Sequence, residues 1–500
     1  MKKFILLLLS LQCFLPINSS AQQPGSLDIQ VRTDLSPGND TVNSIQVQAD
    51  GKIIAAGNSY NGMFSAIAVG RYNVNGSLDT TFGTNGIVTT FMDSAHTVAN
   101  AVEIQQDGKI VVAGNFQRGN VKDFIIVRYK SDGSLDSSFG TNGVVTTDLN
   151  SVSDDFGNAL AIQPDGKIIV AGGSGPYFGL CRYNSDGSLD TTFDSDGKAI
   201  ISIIGPVICM KLQPDGKIVV ASLVKVARLL ANGSLDNSFG TNGEIGSAIT
   251  AYAIAIQKDG KIVLAGGVFD FQLTRIDTSG GLDNSFGNGG IVTTYGFNSG
   301  CSTQGNIATT IALQPDGRIL AGGWRRCGTL GLSRELVLAR FNADGTLDNS
   351  FGVIGKVISY FFSGGISIPY SSVITQDGKI ILAGSCGDYT GDVDHKWGWN
   401  RFHLGPMLDV NMIHGYEKNV FISPNPTADL LTIEATEIEN GIWHLEINDL
   451  VGRWVYREEM VVTNGAIRKE VSVNNLPNGT YLLKLDNGKG KMMARVMKNK

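Results

Sequence analysis

Histidine is scarce in this chain, with five in 500 residues. His-Glu-x-x-His, Gly-x-Ser-x-Gly and the glycine-rich phosphate loop are all missing. Each of those chemistries needs its ligands, nucleophile or backbone cradle at that spacing, so the zinc-protease, serine-hydrolase and P-loop readings fall away. A glycosidase needs only two carboxylates at a set separation, and that class stays open. Cysteine is sparse too, at six. Cys13 falls in the N-terminal leader, which leaves an odd set of Cys181, Cys209, Cys301, Cys327 and Cys386. An odd set argues against a full disulfide framework, and without Cys-x-x-Cys there is no zinc or thioredoxin-like signature. No cofactor is implied. Charged residues make up 17%, the net charge is −6, and no basic stripe occurs, so no nucleic-acid partner is expected.

Long apolar runs are also missing, apart from the start. Lys2-Lys3, the apolar Phe4 to Leu15 and the small Ser19-Ser20-Ala21 read as a secretory signal over residues 1–21, cut before Gln22. The run is too short to span a bilayer, and no integral membrane segment is expected after its removal. Leu11 and Gln12 are not the small pair that a lipoprotein signal places before its cysteine.

What is present is repetition. An Asp-Gly turn recurs at Asp50, Asp107, Asp165, Asp215, Asp259, Asp316 and Asp377. Each follows an alternating apolar run and precedes Lys or Arg and a second apolar run, as in Lys109-Ile110-Val111-Val112-Ala113-Gly114. Two such runs around an Asp-Gly turn read as a hairpin, because Gly accepts the positive φ the turn needs. A third run (Phe124 to Tyr129), a Gly-Ser-Leu-Asp loop and a fourth run (Gly143 to Thr147) complete each unit. Four strands in about 50 residues is the size of a propeller blade. The last unit stops after three runs, while Ile29 to Asp34 resembles a fourth run standing alone at the start. The N-terminal strand is expected to complete the last blade and so remove two open edges. The expectation is an all-β chain: a seven-bladed β-propeller over residues 22–404, a linker over 405–418, and a small Ig-like β-sandwich over 419–500.

Gln163 to Ile168, Gln213 to Ile218, Arg71 to Asp79 and Arg182 to Asp190 carry a specific pattern, Gln-Pro-Asp-Gly-Lys-Ile with Arg-Tyr-Asn-x-x-Gly-Ser-Leu-Asp. It resembles the delta-60 type repeat, a propeller family similar in appearance to NHL propellers. The resemblance covers roughly residues 27–404 and implies a fold and little chemistry. The unit is shortened between Ala221 and Arg228, and Asp277 to Gly281 departs from the pattern.

The C-terminal segment has short runs with Gly or Pro turns. Ser423-Pro424-Asn425-Pro426, then Asp449 to Val451 with Gly452 and Arg453, then Leu476 to Thr480 with Gly479 and Tyr481, stand in the order of a known family. They resemble the C-terminal sorting domain of type IX secretion cargo in Bacteroidetes. That resemblance implies the type IX secretion machinery as a partner, export across the inner membrane by the N-terminal signal and then across the outer membrane by recognition of this domain, and a secreted or cell-surface propeller. The alternative is an ordinary Ig-like adhesion module.

Candidate sites must be weighed against turn chemistry. Asn184-x-Asp186-Gly187-x-Leu189-Asp190 looks loosely like a calcium loop, but no Glu closes it, and Asp and Asn in turns accept backbone N–H bonds in any case. The loops between second and third runs, and between fourth and first, differ in every unit. Divergent loops on a rigid scaffold are where binding sites are usually built. They place Trp324, Arg325, Arg326, Tyr389, Asp392, Asp394, Trp397 and Trp399 as candidates for a stacking and hydrogen-bonding surface that meets a glycan or a protein. Cys301–Cys327 is the disulfide expected in an oxidising location. No catalytic residue is identified. The reading is a non-enzymatic binding or scaffold module, with an extracellular carbohydrate-active enzyme as the alternative.

Overall fold

The computed structural model describes residues 23–405 apart from 37, 93–94, 152, 298–304, 328–332, 362–364 and 389–394, and residues 420–498 apart from 424–428, 437, 449–453, 478 and 488–490. The described residues hold strands and turns and no α-helix. The signal segment 1–21 and nearly all of the 405–418 linker lie outside them. The chain divides into two compact units, Met1–Val410 and Asn411–Lys500.

In the first unit the strands pair as consecutive antiparallel meanders. Thr41–Val47, Ile53–Tyr60, Ser65–Tyr72 and Ile87–Thr90 form one four-stranded sheet. The next four sheets repeat that order, beginning at His96–Ile104, Asp155–Ile162, Cys209–Leu212 and Ala251–Ile256. Two further four-strand groups begin at Asn306–Leu313 and Gly365–Ile374, and one parallel bridge, Arg334 to Ile366, links them. The last group takes its outer strand from the N-terminus, because Leu27–Thr33 pairs antiparallel with Lys396–His403. First strands of successive groups pack side by side, and Gly365–Ile374 packs against Thr41–Val47, so the row closes on itself.

Local chemistry explains the repeat. Gly51 sits at φ 83 in the first Asp-Gly turn, and the Asp50 carboxylate accepts the Lys52 N–H at 3.1 Å. Gly57, Gly114, Gly172, Gly266 and Gly384, each after a second-strand Ala, answer a close approach: a Cβ on Gly114 would stand 1.8 Å from the Val98 carbonyl oxygen. That contact lies where the register slips between Ala99 and Ala101. Second and third strands are buried on both faces, as in Ile168–Ser174, because neighbouring sheets cover each side.

The groups are latched by one ion pair repeated around the ring. Arg71, Arg128, Arg182, Arg228, Arg275 and Arg340 each donate from Nε to the Asp of their own Gly-(Ser/Thr/Gly)-Leu-Asp loop, at 2.6–2.8 Å. Each also donates from a terminal nitrogen to a backbone carbonyl beyond its own group, such as Arg71 to Ser131 and Arg228 to Thr278. The guanidinium lies over a buried Phe, 4.4 Å from the ring centroid for Arg128 on Phe139. Arg401 completes the series through Asp28 and the Val74 carbonyl. Burial alone would raise these carboxyls. For Asp79, hydrogen bonds from Thr81 and Lys52 and the charge of Arg71 outweigh it and hold the pKa well below the usual range.

In the second unit, Val420–Ser423, Leu430–Thr436 and Ala466–Ser472 form one sheet. Trp454–Val462, Gly441–Asn448, Gly479–Asp486 and Lys491–Lys498 form another. Leu431 and Ile433 from the first share one core with Leu445, Leu483 and Val496 from the second.

Candidate functional site

The first strands line an open cavity of about 470 Å³ to which all seven groups contribute. Its walls follow the register of the repeat. The residue seven positions before each Asp-Gly turn lines it: Asn43, Asn100, Asn158, Ile208, Tyr252, Thr309 and Tyr370. Four of these also staple neighbouring groups. Asn43 Nδ2 donates to the Ala99 carbonyl at 2.8 Å, Asn100 to Gly157 at 2.9 Å and Asn158 to Val207 at 2.8 Å. Thr309 Oγ1 donates to Pro369. Four positions before the turn, the same strands carry Gln46, Glu103 and Lys211. The enclosing walls raise the Glu103 pKa, while the Lys211 charge and a contact from Gln46 work against the rise.

At one side of this cavity stands Trp324, buried at the end of Ile319–Cys327. The Arg334 guanidinium covers its ring at 4.8 Å from the centroid, and the exposed Arg326 approaches it at 5.9 Å. Tyr370, 41% exposed, lines the same cavity. Amide, hydroxyl, carboxylate, guanidinium and aromatic groups thus converge on one concave surface, a composition suited to a polar ligand with flat faces.

The structure brings only part of the sequence-derived set to this place. Trp324 is here, and Arg326 stands beside its ring without lining the cavity. Arg325 is turned inward, with its guanidinium on Glu335 at 2.5 Å. Trp397 and Trp399 correct the expected surface, because both are fully buried. They belong to the core between the last group and the first; Trp399 meets Tyr72 edge to face, and Trp397 Nε1 donates to the Asn58 carbonyl at 3.3 Å. The cause is the covered face of the sheet: an aromatic beside a long loop is drawn under the neighbouring sheet when its strand continues there. Tyr389, Asp392 and Asp394 lie outside the described residues. Cys327 is disulfide-bonded, and Cys301 lies outside the described residues. Cys386 is buried within a strand.

Of the sorting motif, Pro424, Asn425, Pro426, Gly452 and Arg453 lie outside the described residues. Gly479 opens a strand, and Tyr481 is buried with its hydroxyl donating to the Pro477 carbonyl at 2.8 Å. Sequence reasoning missed the cavity ring. The signal was present as side chains at a fixed offset before each Asp-Gly turn, within strands that otherwise read as ordinary alternation.

Repeated four-strand meanders around an axial cavity define a β-propeller. Residues 48–82, 105–139, 163–193, 213–239, 257–286 and 314–351 match the family described as Domain of unknown function (DUF5122) beta-propeller. Residues 421–499 match the Secretion system C-terminal sorting domain. The chain carries a DUF5122 β-propeller repeat domain followed by a type IX secretion sorting domain of the Bacteroidetes kind, which directs it to the cell surface or the extracellular space. No curated protein sequence matches it. Among the described residues, no helix is long and apolar enough to cross a membrane.

Similar solved structures include a catalytically inactive virginiamycin B lyase from Staphylococcus aureus with quinupristin, at 13% identity and TM-score 0.45, covering 74% of this chain and 98% of that one. Sqt1 from Chaetomium thermophilum is similar at 12% identity and TM-score 0.41, with 75% and 99% covered. The polysaccharide lyase Uly1 is similar at 10% identity and TM-score 0.41, with 76% and 99% covered.

Proposed function

We propose that the seven four-strand groups are seven blades of one closed propeller, that the C-terminal unit is an Ig-like sandwich read by the type IX machinery, and that the propeller is a non-enzymatic binding module. Its ligand is a glycan or protein segment seated in the axial cavity. The observation that carries this reading is the ring of side chains at the offset-seven position, polar or aromatic in every group but that of Ile208, beside the Trp324–Arg334 stack. The repeat carboxylates support it from the other side: Asp79, Asp136, Asp190, Asp236, Asp283 and Asp348 are engaged by Arg and Lys or Arg partners, which suits structural acids.

The test is a binding screen of the purified chain against polysaccharides and surface-protein peptides, beside Trp324→Ala and Arg334→Ala. Binding that either variant weakens supports the reading; binding that both leave unchanged contradicts the cavity as the site. One observation favours an enzyme acting on carbohydrate instead, namely Glu103, whose raised pKa suits a proton donor. Turnover of a bound polysaccharide that Glu103→Gln abolishes, with binding kept, would select that reading.

A further inference from the structure

Three carboxylates meet between the second and third sheets, away from the axial cavity. Asp123 stands near the start of Val121–Tyr129, Asp148 follows Val144–Thr147, and Asp155 opens Asp155–Ile162. One oxygen of each lies within 4.8 Å of the others. Asp155 is fully buried, and its Oδ2 accepts the Leu149 and Asn150 N–H groups at 2.6 and 3.4 Å. Its Oδ1 is buried with no hydrogen-bond partner. Ser174 faces Asp155 across the strand pair, and its hydroxyl works against the rise that burial gives the Asp155 pKa, but the two groups miss the geometry of a well-formed hydrogen bond, and both Oδ1 and the Ser174 Oγ stay buried in that state. A buried carboxylate oxygen left in this state is costly unless something positive reaches it.

The same architecture occurs elsewhere in the ring, and there a cation fills it. Thr33-Asp34-Leu35 matches Thr147-Asp148-Leu149 in sequence, and Asp40 matches Asp155. The match extends to the hydrogen bonds: Asp40 Oδ2 accepts the Leu35 and Ser36 N–H groups at 2.9 and 3.0 Å. Lys396 stands five positions before Arg401, as Asp123 stands five before Arg128. The Lys396 ammonium lies 2.7 Å from Asp34 and donates to the Ser36 carbonyl at 3.3 Å. One junction therefore sets an ammonium against its carboxylate, and the other sets a third carboxylate in the corresponding position. Of the nearby lysines, Lys122 Nζ lies over the Phe156 ring at 5.0 Å, and Lys198 Nζ is held at 2.7 Å on the backbone carbonyl of Asp148, not on its carboxylate. Burial, then the charges of Asp148, Asp155 and Asp154, raise the Asp123 pKa.

We infer that Asp123, Asp148 and Asp155 bind one divalent metal cation, calcium by its chemistry, which replaces at this junction the ammonium that Lys396 supplies at the ring closure. Hard carboxylate oxygens suit calcium or magnesium. Calcium bonds of about 2.3–2.6 Å let one ion reach oxygens about 4.8 Å apart, with water completing an irregular shell. Magnesium demands a stricter octahedron. An extracellular address suits a site filled from the medium, where modules of this kind work at about 10⁻⁴–10⁻³ M calcium.

The test uses the whole purified chain stripped with chelator. Calcium is titrated by calorimetry and thermal unfolding is followed with and without it, beside Asp123→Asn and Asp123→Lys. The expected results are one calcium per chain, a raised Tm in calcium, and about tenfold or greater weakening in Asp123→Asn. Asp123→Lys should unfold at or above the calcium-loaded parent and ignore calcium. No calcium binding by the folded parent overturns the inference, as does a calcium response in Asp123→Asn equal to the parent's. If Asp123→Lys fails to fold, the parent and Asp123→Asn titrations still decide.

Discussion

Arg401 and Asp28 are 373 positions apart in the chain and 2.6 Å apart in the fold. Six Arg–Asp pairs of this geometry lie eight positions apart in their own repeats; this one joins the two ends of the propeller. Breaking a buried pair by removing one partner leaves the other charge uncompensated, at about 3–5 kcal/mol. Arg401→Ala and Arg182→Ala should both lower stability by about that amount in urea unfolding. Arg401→Ala should in addition expose the N-terminal strand to limited proteolysis, since that strand alone closes the last sheet. An uncleaved N-terminus in a destabilised Arg401→Ala would show that the strand is held by its backbone pairing instead.

Acid should attack the latches together. Hydrogen bonds from Ser350 and Arg318 and the charge of Arg340 outweigh burial at Asp348 and bring its pKa down to about 2. Asp79, Asp190, Asp236 and Asp283 are also held well below the usual range. The folded state then binds these protons more weakly than the unfolded chain, whose Asp pKa is about 3.9. Their stabilisation is complete above about pH 5 and is lost progressively as pH falls through the unfolded value toward about 2 and below. Tm measured from neutral to acid pH should be level first and then fall steeply across that window.

Gly114 has no room for a methyl group. Its Cβ would meet the Val98 carbonyl at 1.8 Å, whereas a Cβ on Gly246 would meet nothing within 4 Å. Gly114→Ala should cost about 1–3 kcal/mol or more through forced backbone shifts. Gly246→Ala should be near neutral. Chemical denaturation of the two variants side by side checks the contrast.

Trp397 and Trp324 should separate stability from recognition. Trp397 fills the core beside Ala68 and Ala383, so Trp397→Ala should cost about 3–5 kcal/mol. Trp324 lies at the cavity beneath Arg334. Trp324→Ala should lose ligand affinity with a smaller loss of stability, as unfolding and binding titrations on the same samples would show.

The architecture was legible because its signals are local and repeated. Asp50 to Gly51 and its six copies announce hairpins, and Ile29 to Asp34 announces the missing outer strand, which Leu27–Thr33 supplies. The surface was less legible. Trp397 and Trp399 adjoin a long loop in sequence, yet the sheet buries them, and nothing in a strand buried on both faces marks which side is covered. The cavity ring was hidden for the opposite reason. Asn43, Asn100 and Asn158 read as the polar phase of alternating strands, and only the closed ring turns that phase toward one axis. The Asp123 cluster joins three segments separated by turns and loops, so no single window of sequence contains it.

The axial cavity is one per chain, while the repeat loops offer one surface per blade. The most direct measurement is therefore the stoichiometry of ligand binding by calorimetry, using the tightest glycan or peptide found for the purified chain. One ligand per chain, with the heat lost in Trp324→Ala, is the predicted result. Several equivalents per chain, unaffected by Trp324→Ala, would contradict a cavity site and move recognition to the repeated loops.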